Sequence, residues 1–92
     1  IWLNQGEVCC AGSRLLVQES VYDKFIAKVK KRMKTLRVGN PLDKSIDIGA
    51  LVDKKQIERD TGLVDKAKKE GAEIYQVEGA YPKGGCYILP TL

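Results

Sequence analysis

One amphipathic pattern constrains the fold of this 92-residue chain more than any other feature. Between residues 21 and 36, apolar residues recur three or four positions apart and mostly polar residues fill the gaps. This spacing places the apolar side chains on one face of an α-helix. Ser20, with Asp23 three residues later, resembles a capping box at its start, and Gly39-Asn40-Pro41 follows it. We therefore predict a helix that ends near Arg37 and packs through an apolar face made of Val21, Phe25, Ile26, Val29, Met33 and Leu36.

A second helix is predicted to start at Asp53. Aspartate is a favoured N-cap residue, and Gln56 stands three residues on as its capping partner. Gly71 is suited to the C-terminal cap. Gly62 lies inside the pattern, where glycine costs about 1 kcal/mol relative to alanine. The expected buried stripe consists of Ile57, Thr61, Val64 and Ala67.

Short apolar runs elsewhere in the chain are typical of β-strands. They cover residues 14–18, 72–77 and 86–89, the last two joined by a glycine-rich turn around 79–85, and residues 48–52 form a further candidate extended segment. The order strand, helix, helix, strand, strand predicts an α/β fold. Three short strands would leave sheet edges that need partners from elsewhere.

The positive charge of the chain is concentrated on the first helix. The net charge is +4, and most of the excess lies in the run from Lys28 to Lys34. Lys24, Lys28, Lys31 and Lys34 fall away from the apolar face, as on an ordinary solvated helix surface. A nucleic-acid module would need a basic groove with interleaved aromatic residues, and here the aromatic residues are scattered. We therefore expect no nucleic-acid partner, and apolar runs of four residues or fewer predict no membrane span.

Both ends of the sequence indicate a piece of a longer protein. The chain begins at Ile1, its single methionine is Met33, and it stops at Leu92 just after the apolar run 87–89. Its length allows one domain at most. We expect residues 1–92 to be part of one domain of a longer chain.

The stretch NQGEVCCAGSR, residues 4–14, holds two adjacent cysteines between glycines. Adjacent cysteines rarely bridge each other, because a disulfide wants their Cα atoms about 5.5–6 Å apart. The odd total of three cysteines and the absence of histidine argue against a disulfide framework and a zinc site. Free thiols fit a reducing compartment such as the cytosol.

This turn has the composition of a reactive site. A cysteine becomes a nucleophile when its thiolate is stabilised and reachable, and flanking glycines let backbone amides approach an oxyanion. The alternative is that the cysteines are small buried residues. Composition does not choose between these alternatives, nor between Cys9 and Cys10. Glu7 could serve as a base for the thiol, but it lies only two residues from Cys9 on the same tight turn, so we expect the base outside these residues.

The residues from Trp2 to Cys9 are similar to the active-site cysteine signature of NAD(P)-dependent aldehyde dehydrogenases. That signature is an aromatic or apolar residue, three variable residues, Gly, Gln or Glu, one variable residue, and the nucleophilic cysteine. The resemblance continues through Cys10-Ala-Gly-Ser-Arg14 to the closing Leu89-Pro-Thr91 and so covers essentially the whole chain. The run from Val8 to Val21 looks closest to the sixteenth vertebrate subfamily.

The resemblance implies a fold and a mechanism. Residues 1–92 would be a fragment of the catalytic domain, a three-layer α/β domain, and the Rossmann-like cofactor domain would lie outside them. The full protein would oxidise an aldehyde to a carboxylic acid with NAD or NADP. The nucleophile would be Cys9, which passes through a thiohemiacetal and a thioester, and the Cys9 backbone amide would supply half of the oxyanion hole.

The resemblance also implies cofactor contacts and an assembly. Gln56 and Arg59 would lie near the cofactor's ribose, with Gln56 as a mere capping side chain as the alternative; the family often has lysine where Arg59 stands. The full-length protein would be a cytoplasmic or mitochondrial homodimer or homotetramer acting on a small-molecule aldehyde, without metal, and residues 1–92 alone would be inactive. The alternative function is an inactive scaffold or interaction protein that retains the fold.

Overall fold

The computed structural model describes residues 1–92 and contains two α-helices. Helix α1 runs over Tyr22–Met33 and helix α2 over Lys54–Lys69. Two short 3-10 turns, Leu3–Gly6 and Glu19–Val21, lie ahead of α1. The two α-helices do not pack directly against each other. They are held in one body by the irregular segments that run between and after them.

Both ends of α1 differ from the prediction. Ser20 is not the N-cap, because it lies inside the 3-10 turn, and no side chain caps the helix. The helix ends at Met33 rather than near Arg37, since the chain tightens into 3-10-type bonds there. The Leu36 N–H donates to the Met33 carbonyl at 3.1 Å. The predicted apolar face is only partly covered: Met33 is fully buried, whereas Phe25 is exposed.

Helix α2 has the predicted caps at both ends. The Gln56 N–H donates to Asp53 Oδ1 at 2.8 Å, which confirms Asp53 as the N-cap. At the other end Gly71 has a φ of 89°. The Ala72 N–H reaches the Ala67 carbonyl at 3.0 Å, and the Gly71 N–H closes the inner bond of a Schellman motif.

The predicted strands do not form within these residues. Segment 14–18 has no strand pairing, and segments 72–77 and 86–89 are not joined as a hairpin. Instead the backbone of Tyr75 exchanges two hydrogen bonds with Leu92, at 2.7 and 2.8 Å, beside an isolated antiparallel bridge. A ladder needs a neighbouring segment in register along its length, and these 92 residues supply only single bridges. The α/β class expected from sequence is therefore not seen in this part of the chain taken alone.

The small core lies between the end of α1 and the segments that follow it. Met33 is buried there with four further apolar side chains, Val38, Ile48, Leu51 and Val77. The connection from 37 to 48 is closed by an isolated parallel bridge between Val38 and Ile48. This core positions residues 48–52, which contact the segment that leads into the cysteine turn.

An acidic side chain fastens the same connection. Asp47 Oδ2 accepts from the backbone N–H of Arg37 at 2.9 Å and from its Nε at 3.3 Å. These two hydrogen bonds, the backbone one first, hold the pKa of Asp47 below its ordinary value of 3.8. The Asp47 N–H in turn donates to the Arg37 carbonyl at 2.9 Å, so the pair closes the loop from both sides.

Candidate functional site

The chain enters the cysteine turn through a left-handed bend. Asn4, Gln5 and Gly6 have successive φ angles of 48°, 58° and 79°. Only glycine adopts such angles freely, so the first two residues are strained. At Gly6 an added Cβ would also lie 3.1 Å from the Ile1 carbonyl oxygen. The glycine of the cysteine signature is therefore required by local geometry.

The two cysteines occupy the middle of a tight turn. The Ala11 N–H donates to the Val8 carbonyl at 3.1 Å, and Cys9 and Cys10 are the two residues enclosed by that bond. Both are exposed free thiols, and the third cysteine, Cys86, is half-buried. Within these residues the thiols of the turn are not small buried core groups.

The backbone amide of Cys9 is unengaged. No backbone carbonyl or side-chain oxygen of the chain accepts a hydrogen bond from it. An unpaired N–H next to an exposed thiol can donate to an oxygen that develops negative charge on an atom bound to the sulfur. Cys9 thus presents an exposed thiol and a free hydrogen-bond donor from the same residue.

Two side chains on the approach to Cys9 reach the segment before α2. Glu7 Oε1 accepts from the Val52 N–H at 3.1 Å. With the Gln5 amide assigned in the orientation that satisfies its neighbours, its oxygen accepts from the Gly49 N–H at 2.8 Å and its nitrogen donates to the Asn4 carbonyl at 2.9 Å. Neither contact was foreseen, because the partners are about 45 residues apart and nothing in the local pattern links them.

A cleft of about 290 Å³ lies beside this contact. Gln56 lines it together with Gln5 and Glu7, whereas Cys9 and Arg59 do not. The structure thus brings one of the predicted cofactor residues to the cleft and leaves Arg59 exposed on α2. The segment before the cysteine turn and the start of α2 therefore line the same cleft. Glu7 and Gln56 lie on it, and Cys9 does not.

The Gln56 side chain does not perform the capping role that was the alternative for it. Its Nε2 donates to Asp60 Oδ1 at 2.8 Å, and its oxygen makes no hydrogen bond within the chain. Asp60 also lines the cleft and was missed from the sequence. The signal was present, since residues four apart on a helix face each other.

The remaining polar clusters have simpler structures. No group of three His, Cys, Asp or Glu side chains is arranged to hold a metal ion. Lys30, from the basic run of α1, pairs with Glu73 at 3.2 Å and lies 5.0 Å from the centre of the Tyr75 ring. Neither helix combines the length and apolar character that crossing a membrane requires.

Comparison with known proteins identifies the family to which this turn and its surroundings belong. The model of the aldehyde dehydrogenase family matches residues 1–92. The chain belongs to the aldehyde dehydrogenase family and shares the fold of that family. The match spans the cysteine turn, the left-handed bend and both helices.

Named relatives agree with this assignment. The chain is 46% identical to an aldehyde dehydrogenase of Vibrio cholerae, in an alignment covering 99% of this chain and 19% of that protein. It is 38% identical to cytosolic aldehyde dehydrogenase 1 of Mus musculus and 39% identical to the mitochondrial aldehyde dehydrogenase of Homo sapiens. Each of these alignments covers 100% of this chain and 18% of the relative. The chain therefore spans less than a fifth of the length of these relatives.

Proposed function

We propose that residues 1–92 are the part of an aldehyde dehydrogenase catalytic domain that carries the nucleophile, Cys9. The full-length protein then oxidises an aldehyde to a carboxylic acid with NAD or NADP. The observation that carries this proposal is the turn itself, where an exposed Cys9 thiol stands at the motif position with an unengaged backbone N–H. Family membership over the whole chain supports it.

The proposed chemistry at Cys9 follows from these two groups. The thiolate sulfur attacks the aldehyde carbon, forming an S–C bond and a thiohemiacetal oxyanion. The Cys9 N–H donates to that oxyanion, and the thiol proton goes to a base outside these residues. A bound NAD or NADP would supply the acceptor for the hydride that must leave the same carbon to give the thioester. Water then cleaves the resulting thioester to the carboxylic acid and frees Cys9.

Gln56 and Arg59 are the residues proposed to hold the cofactor. The oxygen of the Gln56 amide makes no hydrogen bond within the chain, and its side chain borders the cleft, so it fits an acceptor for a ribose hydroxyl. Arg59 is exposed one helical turn further on, where a guanidinium could donate to the same sugar or to a phosphate.

The larger setting is proposed from the family. The whole catalytic domain is a three-layer α/β structure, the Rossmann-like cofactor domain lies outside residues 1–92, and the protein is a homodimer or homotetramer. Relatives named cytosolic and mitochondrial both exist, and we propose a cytoplasmic protein with the mitochondrion as the alternative. Membership of the sixteenth subfamily remains a prediction from the run between Val8 and Val21.

The test compares full-length wild type with two single-thiol variants. Cys9→Ser is expected to abolish aldehyde-dependent NADH or NADPH formation. The serine hydroxyl is a much weaker nucleophile than a thiolate, because it is not ionised at neutral pH. Cys10→Ser is expected to keep most of that activity, since Cys10 is only the neighbour on the turn. Initial rates of absorbance at 340 nm over a panel of aliphatic and aromatic aldehydes measure the outcome.

Cys10→Ser is the matched control, because it removes an equally exposed thiol one residue away. Loss of activity in Cys10→Ser with retention in Cys9→Ser would reverse the assignment of the nucleophile. A folded wild type with no activity on any aldehyde and either cofactor would overturn the proposed function as a whole.

A further inference from the structure

We propose that Glu7 and Gln5 are positioning residues that fasten the Cys9 turn to residues 49–52. We call this pair of contacts the turn latch. The inference deepens the proposed function and rests on it, because the latch acts on catalysis only through the nucleophile. Its chemistry is a pair of hydrogen bonds from backbone amides to side-chain oxygens, and no charge is needed at either position.

The latch closes at two points on one segment. Glu7 Oε1 accepts from the Val52 N–H at 3.1 Å, and the Gln5 amide, assigned in the orientation that satisfies its neighbours, accepts from the Gly49 N–H at 2.8 Å. Gln5 and Glu7 are two residues apart, and Gly49 and Val52 are three apart, so the two contacts fix both position and direction. A single contact would leave the turn free to pivot.

The segment that receives the latch is itself held by the core. Leu51 is buried, and its N–H donates to the Cys86 carbonyl at 2.6 Å. Gly49 is buried and so closely surrounded that an added Cβ would lie 2.8 Å from the Gln5 amide and 3.3 Å from Pro41. Gly49 and Leu51 are therefore fixed by the body of the structure, and the exposed turn is the part that needs holding.

The backbone on the turn side explains why holding is needed. Asn4 and Gln5 occupy left-handed angles, which L residues keep only when surrounding contacts over-determine them. The bend directs the Gln5 and Glu7 side chains towards residues 49–52, and Cys9 follows two residues after Glu7. Releasing Glu7 would let the bend relax and move the nucleophile.

The latch also assigns Glu7 a role other than base or charge. Its Oε1 accepts from the Val52 N–H, and an amide oxygen can accept the same bond. A glutamine at position 7 would thus preserve the latch, whereas alanine would remove it. A role as a base or as a local negative charge would be lost in both variants.

The experiment uses the full-length protein with Glu7→Ala and Glu7→Gln, and Glu78→Ala as the control for loss of an exposed carboxylate that makes no hydrogen bond. Glu7→Ala is expected to lower kcat about ten-fold or more with little change in KM, because small displacements of a nucleophile are costly. Glu7→Gln is expected to retain most of kcat and the wild-type pH profile, and Glu78→Ala to match wild type.

Hydrogen–deuterium exchange of the backbone amides at 49–52 reads the latch without any turnover. Of these, the Gly49 and Val52 amides should exchange several-fold faster in Glu7→Ala and in Gln5→Ala than in wild type, and at the wild-type rate in Glu7→Gln, whereas the Leu51 amide, which donates to the Cys86 carbonyl, should keep its wild-type rate in every variant. Unchanged exchange in both alanine variants overturns the latch. So does a Glu7→Gln protein with the kcat defect of Glu7→Ala or a shifted pH profile, which would assign Glu7 a charge role.

The two proposals fail in different ways. A wild type without aldehyde activity sinks the proposed function, and the exchange rates still decide the latch. If Glu7→Ala does not fold, exchange in Gln5→Ala and the pH profile of Glu7→Gln each decide it: normal exchange in the first, or a shifted profile in the second, rejects the inference.

Discussion

At the scale of single residues, Glu7 and Asp47 are each held by a hydrogen bond from a backbone N–H. Glu7 lies two residues from Cys9 in the sequence, yet its Oε1 is bonded to Val52. Asp47 likewise bonds the backbone and side chain of Arg37 and closes the connection after α1. The two bonds from Arg37 favour the ionised form of Asp47 and so lower its pKa.

The Asp47 contact predicts an acid-dependent loss of stability. Because its pKa is lowered in the folded state, the carboxylate stabilises the fold above the ordinary pKa of 3.8, and this contribution is lost as the pH falls through the folded value. Asp47→Asn in the full-length protein should therefore unfold at lower urea concentration than wild type at pH 7. The difference should shrink below about pH 4.

Urea titrations at pH 7, 5 and 3 measure this effect. Asp65→Asn is the matched control, because Asp65 is an exposed aspartate of α2 without a hydrogen bond or ion pair. A difference between wild type and Asp47→Asn that stays constant down to pH 3 would contradict the ionised contact.

At the scale of elements, helix α2 is defined by its caps and α1 by its surroundings. Asp53 and Gly71 close α2 in the way that their residue types predict, with a side-chain N-cap and a Schellman motif. Helix α1 has no side-chain cap, and its last turn tightens as the chain enters the core at Met33. Caps are local and therefore visible in sequence, whereas the termination of α1 depends on packing.

Two glycines of this helix should respond oppositely to alanine. Gly62 lies in the helix interior with nothing within 4 Å of an added Cβ, so Gly62→Ala should stabilise by up to about 1 kcal/mol. Gly71 has a φ of 89°, so Gly71→Ala should destabilise by about 1–2 kcal/mol. Urea-unfolding midpoints of the full-length protein should shift in opposite directions.

The pair provides its own control, since both variants add the same methyl group to the same helix. Shifts of the same sign would mean that the Schellman cap or the open space at Gly62 is wrongly assigned. Circular dichroism at 222 nm should change little in either variant.

At the scale of the whole molecule, the described residues have more apolar surface than they bury. Eight of 92 residues are buried, and Leu16, Leu42 and Leu3 are 97%, 89% and 82% exposed. An open groove of about 870 Å³ also runs between α1 and the two ends of the chain. Exposed apolar surface on this scale is characteristic of a surface that packs against further protein.

Residues 1–92 expressed alone should therefore lack a cooperative fold. We expect a broad, shallow urea transition and strong binding of the dye ANS, because the core is too small to offset the entropy of ordering the chain. The full-length protein should instead unfold sharply and bind little dye. A sharp transition of the isolated chain, with weak ANS fluorescence, would contradict this expectation.

The elements that depend only on residues close together in the chain could be predicted from the sequence. The apolar spacing predicted both helices, Asp53 and Gly71 predicted the ends of α2, and the motif around Cys9 led to the family that the comparison then established. The strands predicted at 14–18, 72–77 and 86–89 do not form within residues 1–92, because an apolar run shows what could pair but not whether a partner in register is present.

Only the tertiary structure decided how the cysteine turn is held and what lies beside it. The turn latch joins Gln5 and Glu7 to residues about 45 positions away, through backbone amides that every residue except proline carries. The residue type of a donor therefore does not reveal that its backbone N–H is hydrogen-bonded to a distant side chain. The sequence could therefore single out Cys9 as the proposed nucleophile, while the contacts with 49–52 became visible only once the chain was folded.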